Sequence, residues 1–137
     1  MTAQPVPPEL LDSWRDRFEC WNRHEFEQMA QMYREDGVYD ASAVFIGEAP
    51  IRGRQAMLAY WEQMWEVWEG ARLDPVRGFD AGEGRYVVEA RLGSTGRRSG
   101  AETDRDVAFL YTLDDQGLIA SARLFRDTEE ALAAAGR

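Results

Sequence analysis

The closing segment of the chain places the strongest constraint on its fold. Arg105–Leu113 is an alternating extended run, Asp114–Gly117 has the composition of a tight turn, and Leu118–Arg126 is a second extended run. Asp127 is then a favourable residue for a helix N-terminus, and Glu130 three positions later completes a capping-box-like pattern. The segment therefore predicts two antiparallel strands joined by a tight turn and followed by a short helix.

The N-terminal half has the periodicity of amphipathic helices. A first helix is predicted to begin at Pro8, and a second to carry Phe26–Tyr33 and end at Glu35–Gly37. Because only a short connection separates these two helices, we expect them to pack as a helical hairpin. A strand is predicted over Val38–Ile46, and the strongest helical pattern follows over Arg54–Glu69.

From Ala71 onward the periodicity changes from helical to alternating. Strands are predicted over Ala71–Phe79 and Arg85–Leu92, and a long hairpin loop over Gly93–Thr103. Helices followed by mostly antiparallel strands and one last helix indicate an α+β fold, in which helices cover one face of a curved sheet. We predict a single domain over residues 8–137, preceded by a mobile, proline-containing leader over residues 1–7.

The composition excludes several classes of partner. The chain has 25 acidic and 16 basic residues, so its net charge of −9 opposes binding to nucleic acids or to anionic membrane surfaces. Its single cysteine excludes an intrachain disulfide, and its first residues lack the basic start and apolar run of a secretory signal. No apolar stretch approaches the roughly 18 residues of a membrane-spanning helix. We therefore expect a cytoplasmic protein without nucleic-acid or membrane partners.

Aromatic residues are the main candidates for ligand contacts. The five tryptophans all lie on helical stripes, where they either fill the core or line a pocket for a flat apolar ligand. Tyr60, Tyr86 and Tyr111 are candidates for a hydroxyl at the rim of such a pocket. The chain has no cluster of histidines and cysteines, and its acidic pairs lie at helix ends or turns, so we predict neither a metal site nor a cofactor.

Several short motifs resemble the SnoaL-like branch of the nuclear transport factor 2-like superfamily. Each is weak alone, but their order and spacing extend the resemblance over almost the whole chain. The motifs are Cys20–Arg23, Tyr33–Tyr39, Ile51–Ala56, Ser99-Gly100, Val107–Leu113, Gly117–Ile119 and Glu129–Gly136.

The resemblance implies a cone-shaped domain. In that fold a curved mixed β-sheet wraps around a long helix, with two N-terminal helices and a short C-terminal helix. It also implies an apolar pocket inside the cone and a homodimer formed through the outer face of the sheet. The superfamily includes ketosteroid isomerase, polyketide cyclases, scytalone dehydratase, limonene epoxide hydrolase and non-catalytic binding domains, so the fold alone does not determine the function.

The resemblance also implies a catalytic carboxylate near the end of the first strand. Asp40 is the nearest acid, with Tyr39 beside it, and a base surrounded by aromatic rings would be suited to proton transfer. An ungapped comparison from Asp36 instead places Ala41 at the catalytic position, and a one-residue shift would turn Asp40 to the opposite face. Asp40 is thus either a buried base or a solvent-facing residue at a strand end.

The other catalytic groups of the characterised relatives are missing. Ketosteroid isomerase takes its oxyanion-hole donors from a tyrosine on the first helix and an acid on the penultimate strand, where this chain has Arg17 or Phe18 and Phe109. A lone His24 cannot supply the paired histidines of scytalone dehydratase. The last strand, which includes Leu124, lacks the aspartate of the epoxide hydrolases.

We therefore expect a pocket for a small hydrophobic molecule, with isomerase- or cyclase-type acid–base chemistry on a carbonyl-bearing substrate. The alternative is a non-catalytic module for ligand binding or dimerisation. Arg126 would meet an anionic ligand or Asp40 if its strand extends that far, and would otherwise be solvated. The expected ligand-binding residues are Trp14, Phe18, Trp21, Trp61, Trp65, Val88, Phe109, Tyr111, Leu124 and Arg126.

Overall fold

The fold is described by a computed structural model that covers residues 3–45, 47–67, 72–93 and 105–136. These residues form four helices and seven strands. The helices are α1 (Pro8–Asn22), α2 (Phe26–Ala30), α3 (Arg54–Val67) and α4 (Thr128–Ala135). The strands are β1 (Gln4–Pro5), β2 (Tyr33–Asp40), β3 (Ile51–Arg52), β4 (Arg72–Gly82), β5 (Arg85–Gly93), β6 (Arg105–Leu113) and β7 (Ile119–Phe125). Most of the predicted hairpin loop after Gly93, the Ser99-Gly100 motif and Trp68 lie outside the described residues.

All seven strands form one curved mixed sheet in the order β1-β4-β5-β6-β7-β2-β3. Strand β2 runs parallel to β7, and every other neighbouring pair is antiparallel. Helices α1, α2 and α3 pack on one face, here called the inner face, and α4 packs on the other, the outer face. This arrangement confirms the predicted α+β class and the cone-shaped fold that the resemblance implied.

The inner face carries the larger hydrophobic core. Side chains alternate along β5, so Val88, Ala90 and Leu92 point inward and are at most 6% exposed. On α1, Trp14, Phe18 and Trp21 follow helical spacing and meet these strands as one stripe. This core, here called the inner cluster, holds most of the aromatic side chains of the protein.

The outer face carries a smaller core beneath α4. Ala131 and Ala135 of this helix are at most 1% exposed and pack with Val87, Leu110 and Phe125 of the sheet. The N-terminus of α4 is capped as predicted, because the Asp127 carboxylate accepts a hydrogen bond from the Glu130 N–H at 2.8 Å. Since α4 covers part of this face, a homodimer would use the remainder of it, and the dimer itself stays a prediction.

An asparagine side chain holds α1 in position along β4. The Asn22 amide nitrogen donates to the carbonyl oxygen of Leu73 at 3.0 Å, and the Leu73 N–H donates to the Asn22 amide oxygen at 2.7 Å. The side chain thus takes the place of a neighbouring strand at the β4 backbone. This pair of hydrogen bonds orients the helix face from which Arg17 and Phe18 point toward the sheet.

Two predicted boundaries are wrong in the structure. The second helix ends at Ala30 rather than near Gly37, and Tyr33 begins β2. The Ile119 N–H donates to the Met32 carbonyl at 2.8 Å, which shows that pairing with β7 overrides the local helical pattern. Strand β2 also ends earlier than predicted, at Asp40 instead of Ile46.

Two features near the ends of the chain bear on expectations from the sequence. Gln4 and Pro5, in the predicted leader, pair with Asp80 and Phe79 of β4. Strand β7 ends at Phe125, so Arg126 follows the strand rather than belonging to it.

Among the described helices, none combines the length and hydropathy that a membrane-spanning segment requires.

Candidate ligand site on the inner face of the sheet

Most of the predicted ligand-binding residues lie together on the inner face. Trp65 is only partly buried against the inner cluster, and Arg126 is exposed beyond the end of β7. Arg126 therefore lies outside the inner cluster, and its position after β7 does not direct it toward the inner face or toward Asp40. The remaining predicted residues are all buried members of the inner cluster, namely Trp14, Phe18, Trp21, Trp61, Val88, Phe109, Tyr111 and Leu124.

The aromatic rings of this cluster contact one another directly. The Trp14 ring stacks on Tyr111 with centroids 4.4 Å apart, and Phe18 lies 5.4 Å from Phe109. Phe109, which occupies the expected place of an acid, faces inward and stacks on Tyr111 at 5.5 Å. These contacts favour the core-filling alternative for Trp14, one of the two that the sequence left open for the tryptophans.

The register of β2 separates the two predicted catalytic residues. Tyr39 pairs with Ala122, a buried member of the inner cluster, whereas Asp40 pairs with the exposed Arg123. Asp40 therefore lies on the outer face, where its carboxylate accepts hydrogen bonds from the Ser42 backbone N–H at 2.9 Å and hydroxyl at 2.6 Å. The expectation that aromatic rings surround Asp40 is wrong, because successive residues of a strand face opposite sides. Its catalytic role stays a prediction without a contact on the inner face.

Four tyrosines on the inner face form an electrostatically connected group, here called the tyrosine chain: Tyr33, Tyr39, Tyr60 and Tyr111. Burial raises the pKa of each phenol, and Tyr39 raises the pKa of the other three further. The rings of Tyr39 and Tyr60 lie 5.7 Å apart. All four hydroxyls therefore stay protonated at neutral pH and are available as hydrogen-bond donors.

Glu48 supplies the carboxylate nearest to one end of the tyrosine chain. It is half-buried in the turn that follows β2, where Val44 and Phe45 pack against the inner cluster. Burial is the largest cause of the raised pKa of Tyr39, and the negative charge of Glu48 raises it further. Glu48 also contributes to the raised pKa of Tyr60. The Glu48 carboxylate approaches the buried Tyr60 hydroxyl closely enough to raise the pKa of Tyr60 through a side-chain hydrogen-bond contact as well as through its charge. No described residue meets full hydrogen-bond geometry at this hydroxyl.

Arg17 lies near the other members of the tyrosine chain. Its positive charge opposes the rise in the pKa of Tyr33 and Tyr111, so the guanidinium is close to both phenols. Its Cζ atom lies 4.5 Å above the centroid of the Trp14 ring. Within the described part of the chain, the buried Nη1 atom of Arg17 has no hydrogen-bond partner. Such unpaired buried polar atoms are rare in proteins, so each calls for an explanation.

Arg17 and Glu48 were not predicted as site residues. Arg17 falls at the helical spacing of Trp14, Phe18 and Trp21, so it is a charged residue within an apolar stripe. That pattern is the sequence signal that could have identified Arg17 as a site residue. Glu48 lies in a turn whose path depends on where β2 ends, and no local pattern identifies it. Tyr60 was expected only as a rim hydroxyl, and its neighbour Trp61 dominates the helical pattern.

His24 is exposed at the edge of the inner cluster. Its ring stacks on Trp65 with centroids 4.6 Å apart, and its Nε2 atom contacts the Glu62 carboxylate. No three His, Cys, Asp or Glu side chains in the described ranges come close enough together to hold a metal ion.

Comparisons with known proteins agree with this fold. A family model described as the SnoaL-like domain matches residues 14–122. A hypothetical protein from Catenulispora acidiphila, described as having a ketosteroid isomerase-like fold and solved in complex with trimethylamine, has a TM-score of 0.71 and 18% identity. The match covers 96% of this chain and 95% of that protein. A search of curated proteins found no significant match.

Two further solved structures share the fold over most of their length. The epoxide hydrolase/cyclase-like enzyme SalBIII, described in pyran ring formation in salinomycin, has a TM-score of 0.67 and 17% identity over 88% of this chain and 91% of its own. A Mycobacterium tuberculosis protein in complex with estradiol-17beta-hemisuccinate has a TM-score of 0.66 and 18% identity, over 90% of this chain and 97% of that protein. At these identities the likeness establishes the fold alone.

Proposed function

Because the chain belongs to the SnoaL-like family of the nuclear transport factor 2-like superfamily, we propose that its inner face binds a small, largely apolar, carbonyl-bearing molecule and moves a proton at the carbon beside the carbonyl. The observation that carries this proposal is the buried Tyr60 hydroxyl, which the Glu48 carboxylate approaches but which finds full hydrogen-bond geometry with no described residue. An unsatisfied buried donor costs about 1–3 kcal/mol. A ligand carbonyl that accepts this hydrogen bond would remove that cost.

The proposed chemistry assigns separate tasks to the donor and the base. The Glu48 carboxylate takes the proton from the α-carbon, the C–H electron pair forms the C=C bond of the enolate, and the carbonyl π pair moves onto the oxygen. The developing oxyanion then accepts a hydrogen bond from Tyr60, with Tyr39 as the neighbouring donor. In a substrate with a second double bond conjugated to the enolate, return of the proton from Glu48 to the far carbon gives isomerisation. Attack by the enolate carbon on a second carbonyl gives cyclisation, and Glu48 returns its proton to the new alkoxide. No cofactor is needed for either outcome.

The described relatives support the class of ligand rather than its identity. Two proteins of this fold carry small organic molecules, trimethylamine and estradiol-17beta-hemisuccinate, and a third is described as an epoxide hydrolase/cyclase-like enzyme. The second candidate function is a non-catalytic ligand-binding module. It is favoured by the outward position of Asp40 and by the dense aromatic packing around Phe109.

Exchange of carbon-bound protons tests the proposal without knowledge of the natural substrate. Acetophenone or acetylnaphthalene is incubated with the protein in D2O, and loss of the methyl proton signal is followed by NMR. We expect exchange above the buffer rate, about a hundredfold slower with Glu48→Gln and about tenfold slower with Tyr60→Phe. Tyr86→Phe is the matched control, because Tyr86 borders the inner cluster but belongs to neither task.

The outcomes separate the candidate functions. Binding of the ketones without exchange would favour the non-catalytic module. Exchange that survives Glu48→Gln but is lost with Asp40→Asn would transfer the role of base to Asp40 and contradict the assignment of Glu48. If neither ketone binds, as measured by calorimetry, the proposed ligand class is wrong.

A further inference from the structure

We propose that Arg17 recognises an anionic oxygen, so that the preferred ligands of this protein are flat apolar carboxylates or carbonyl compounds that react through an enolate. The inference rests on the proposed function, because it assigns a second polar contact to the same inner-face ligand. It goes further by specifying the charge of the ligand and the residue that selects it.

Within the described part of the chain, no acidic side chain forms an ion pair with Arg17, although other arginines along the chain pair readily with acids. Tyr33 and Tyr111 are its electrostatic neighbours, and both remain neutral phenols because burial raises the pKa of each. The buried Nη1 atom therefore presents N–H donors without an acceptor in the described structure.

Arg54 shows how a structural arginine in the same protein is accommodated. Its guanidinium donates two hydrogen bonds to the Tyr33 carbonyl oxygen, at 3.0 Å from Nε and 2.5 Å from Nη2. Arg17 instead lies over the face of the Trp14 ring, with its Cζ atom 4.5 Å from the ring centroid. A cation–π contact satisfies the charge in part but leaves the N–H groups in the guanidinium plane free to bind a ligand.

The shape of the neighbourhood favours a flat ligand. The Trp14 ring under the guanidinium stacks on Tyr111, and Phe18 and Phe109 continue this series of ring contacts. A carboxylate on an aromatic or conjugated skeleton would place its plane against the edge of these packed rings while its oxygens accept from the guanidinium. Arginine binds carboxylates in a fork geometry that strengthens such a contact relative to a neutral carbonyl.

Paired probes test the charge preference. Benzoate, trans-cinnamate and naphthoate are each compared with the corresponding neutral amide by isothermal titration calorimetry at neutral pH. We expect at least one carboxylate to bind more tightly than its amide, and Arg17→Met to weaken carboxylate binding about 10- to 100-fold while changing amide binding less than about threefold. Arg15→Met is the control, because Arg15 is an exposed arginine on the same helix.

Thermal unfolding without ligand gives an independent readout. Removing the half-buried guanidinium, whose buried Nη1 atom has no partner among the described residues, should raise the Tm, so we expect Arg17→Met to melt at least about 3 °C higher than the unchanged protein. Arg54→Met should melt lower, because it loses two hydrogen bonds. A lower Tm for Arg17→Met would give Arg17 a structural role and overturn the inference.

The binding results also distinguish this inference from the proposed function. If Arg17→Met retains the preference for carboxylates, or if no carboxylate binds better than its amide, the inference fails. Amide or ketone binding that still depends on Tyr60 would then leave the proposed function in place. If the protein binds none of these acids, amides or ketones, both proposals fail.

Discussion

Above pH 10 the protein should lose stability by roughly 5 kcal/mol per pH unit, a far steeper loss than one tyrosine can cause. Burial raises the pKa of Tyr33, Tyr39, Tyr60 and Tyr111 in the folded state. Each unfolded phenol ionises near pH 10, whereas the folded phenol stays neutral. Each contributes about 1.4 kcal/mol per pH unit to the loss within that window.

The sign follows from the protonation states. Below pH 10 both the folded and unfolded tyrosines are protonated, so their stabilising contribution is fully present and independent of pH. As the pH rises above 10 toward the higher folded pKa values, the unfolded state alone releases protons and becomes favoured. The buried Cys20 thiol, whose pKa is also raised by burial, adds a loss in the same direction.

The composition of the chain makes this experiment unusually clean. All sixteen basic residues are arginine, which keeps its charge throughout this range, so no lysine titration overlaps with that of the tyrosines. Urea unfolding is followed by circular dichroism from pH 8 to 11, and tyrosinate is measured by its ultraviolet absorbance. A slope of about 1.4 kcal/mol per pH unit or less, or tyrosinate that forms fully before unfolding, would contradict the assigned burial.

Trp61→Ala should lower the free energy of unfolding by about 3–5 kcal/mol, a large part of the stability of an ordinary domain. The Trp61 side chain is 2% exposed. Its ring contacts Tyr33 with a centroid distance of 5.5 Å, Tyr39 at 5.9 Å and Phe26 at 6.2 Å. Truncation would remove these contacts and leave a cavity between α3 and β2.

This variant also separates the two roles that the sequence left open for Trp61. A core-filling ring costs several kcal/mol when removed, whereas a ring that faces open space costs much less. Trp65→Ala, one turn along the same helix and only partly buried, is the matched control and should cost no more than about 2 kcal/mol. A loss below about 1 kcal/mol for Trp61→Ala in urea unfolding would contradict the core-filling role.

Local signals were sufficient to predict the C-terminal half of the fold. The strand Arg105–Leu113 and the cap at Asp127 were predicted because alternation, turn residues and capping depend on neighbours in sequence. Gly117 adopts a φ of 84°, the left-handed conformation that suits a glycine in this turn. The start of β2 at Tyr33 was not predicted, because it depends on pairing with β7, a strand distant in sequence.

The candidate site was less predictable than the fold. The aromatic members of the inner cluster were identified from the sequence because large apolar residues at helical or alternating spacing lie on one face of a helix or strand, and that face is the buried one. The positions of Asp40 and Glu48 depend on strand register and on the path of a turn, and a one-residue difference reverses the face of a side chain. The lack of hydrogen-bond partners for Arg17 Nη1 and the Tyr60 hydroxyl among the described residues depends on how the helices pack on the sheet, which no sequence pattern contains.

The most direct test of a ligand site on the inner face is a crystal structure of the protein with bound acetylnaphthalene. We predict that the probe lies against the inner cluster with its carbonyl oxygen about 2.7–2.8 Å from the Tyr60 hydroxyl. The result that would contradict the account is a probe bound elsewhere while Tyr60 remains without a partner. The surface cleft of about 440 Å³ lined by His24, Phe26 and Glu62 is one such alternative location.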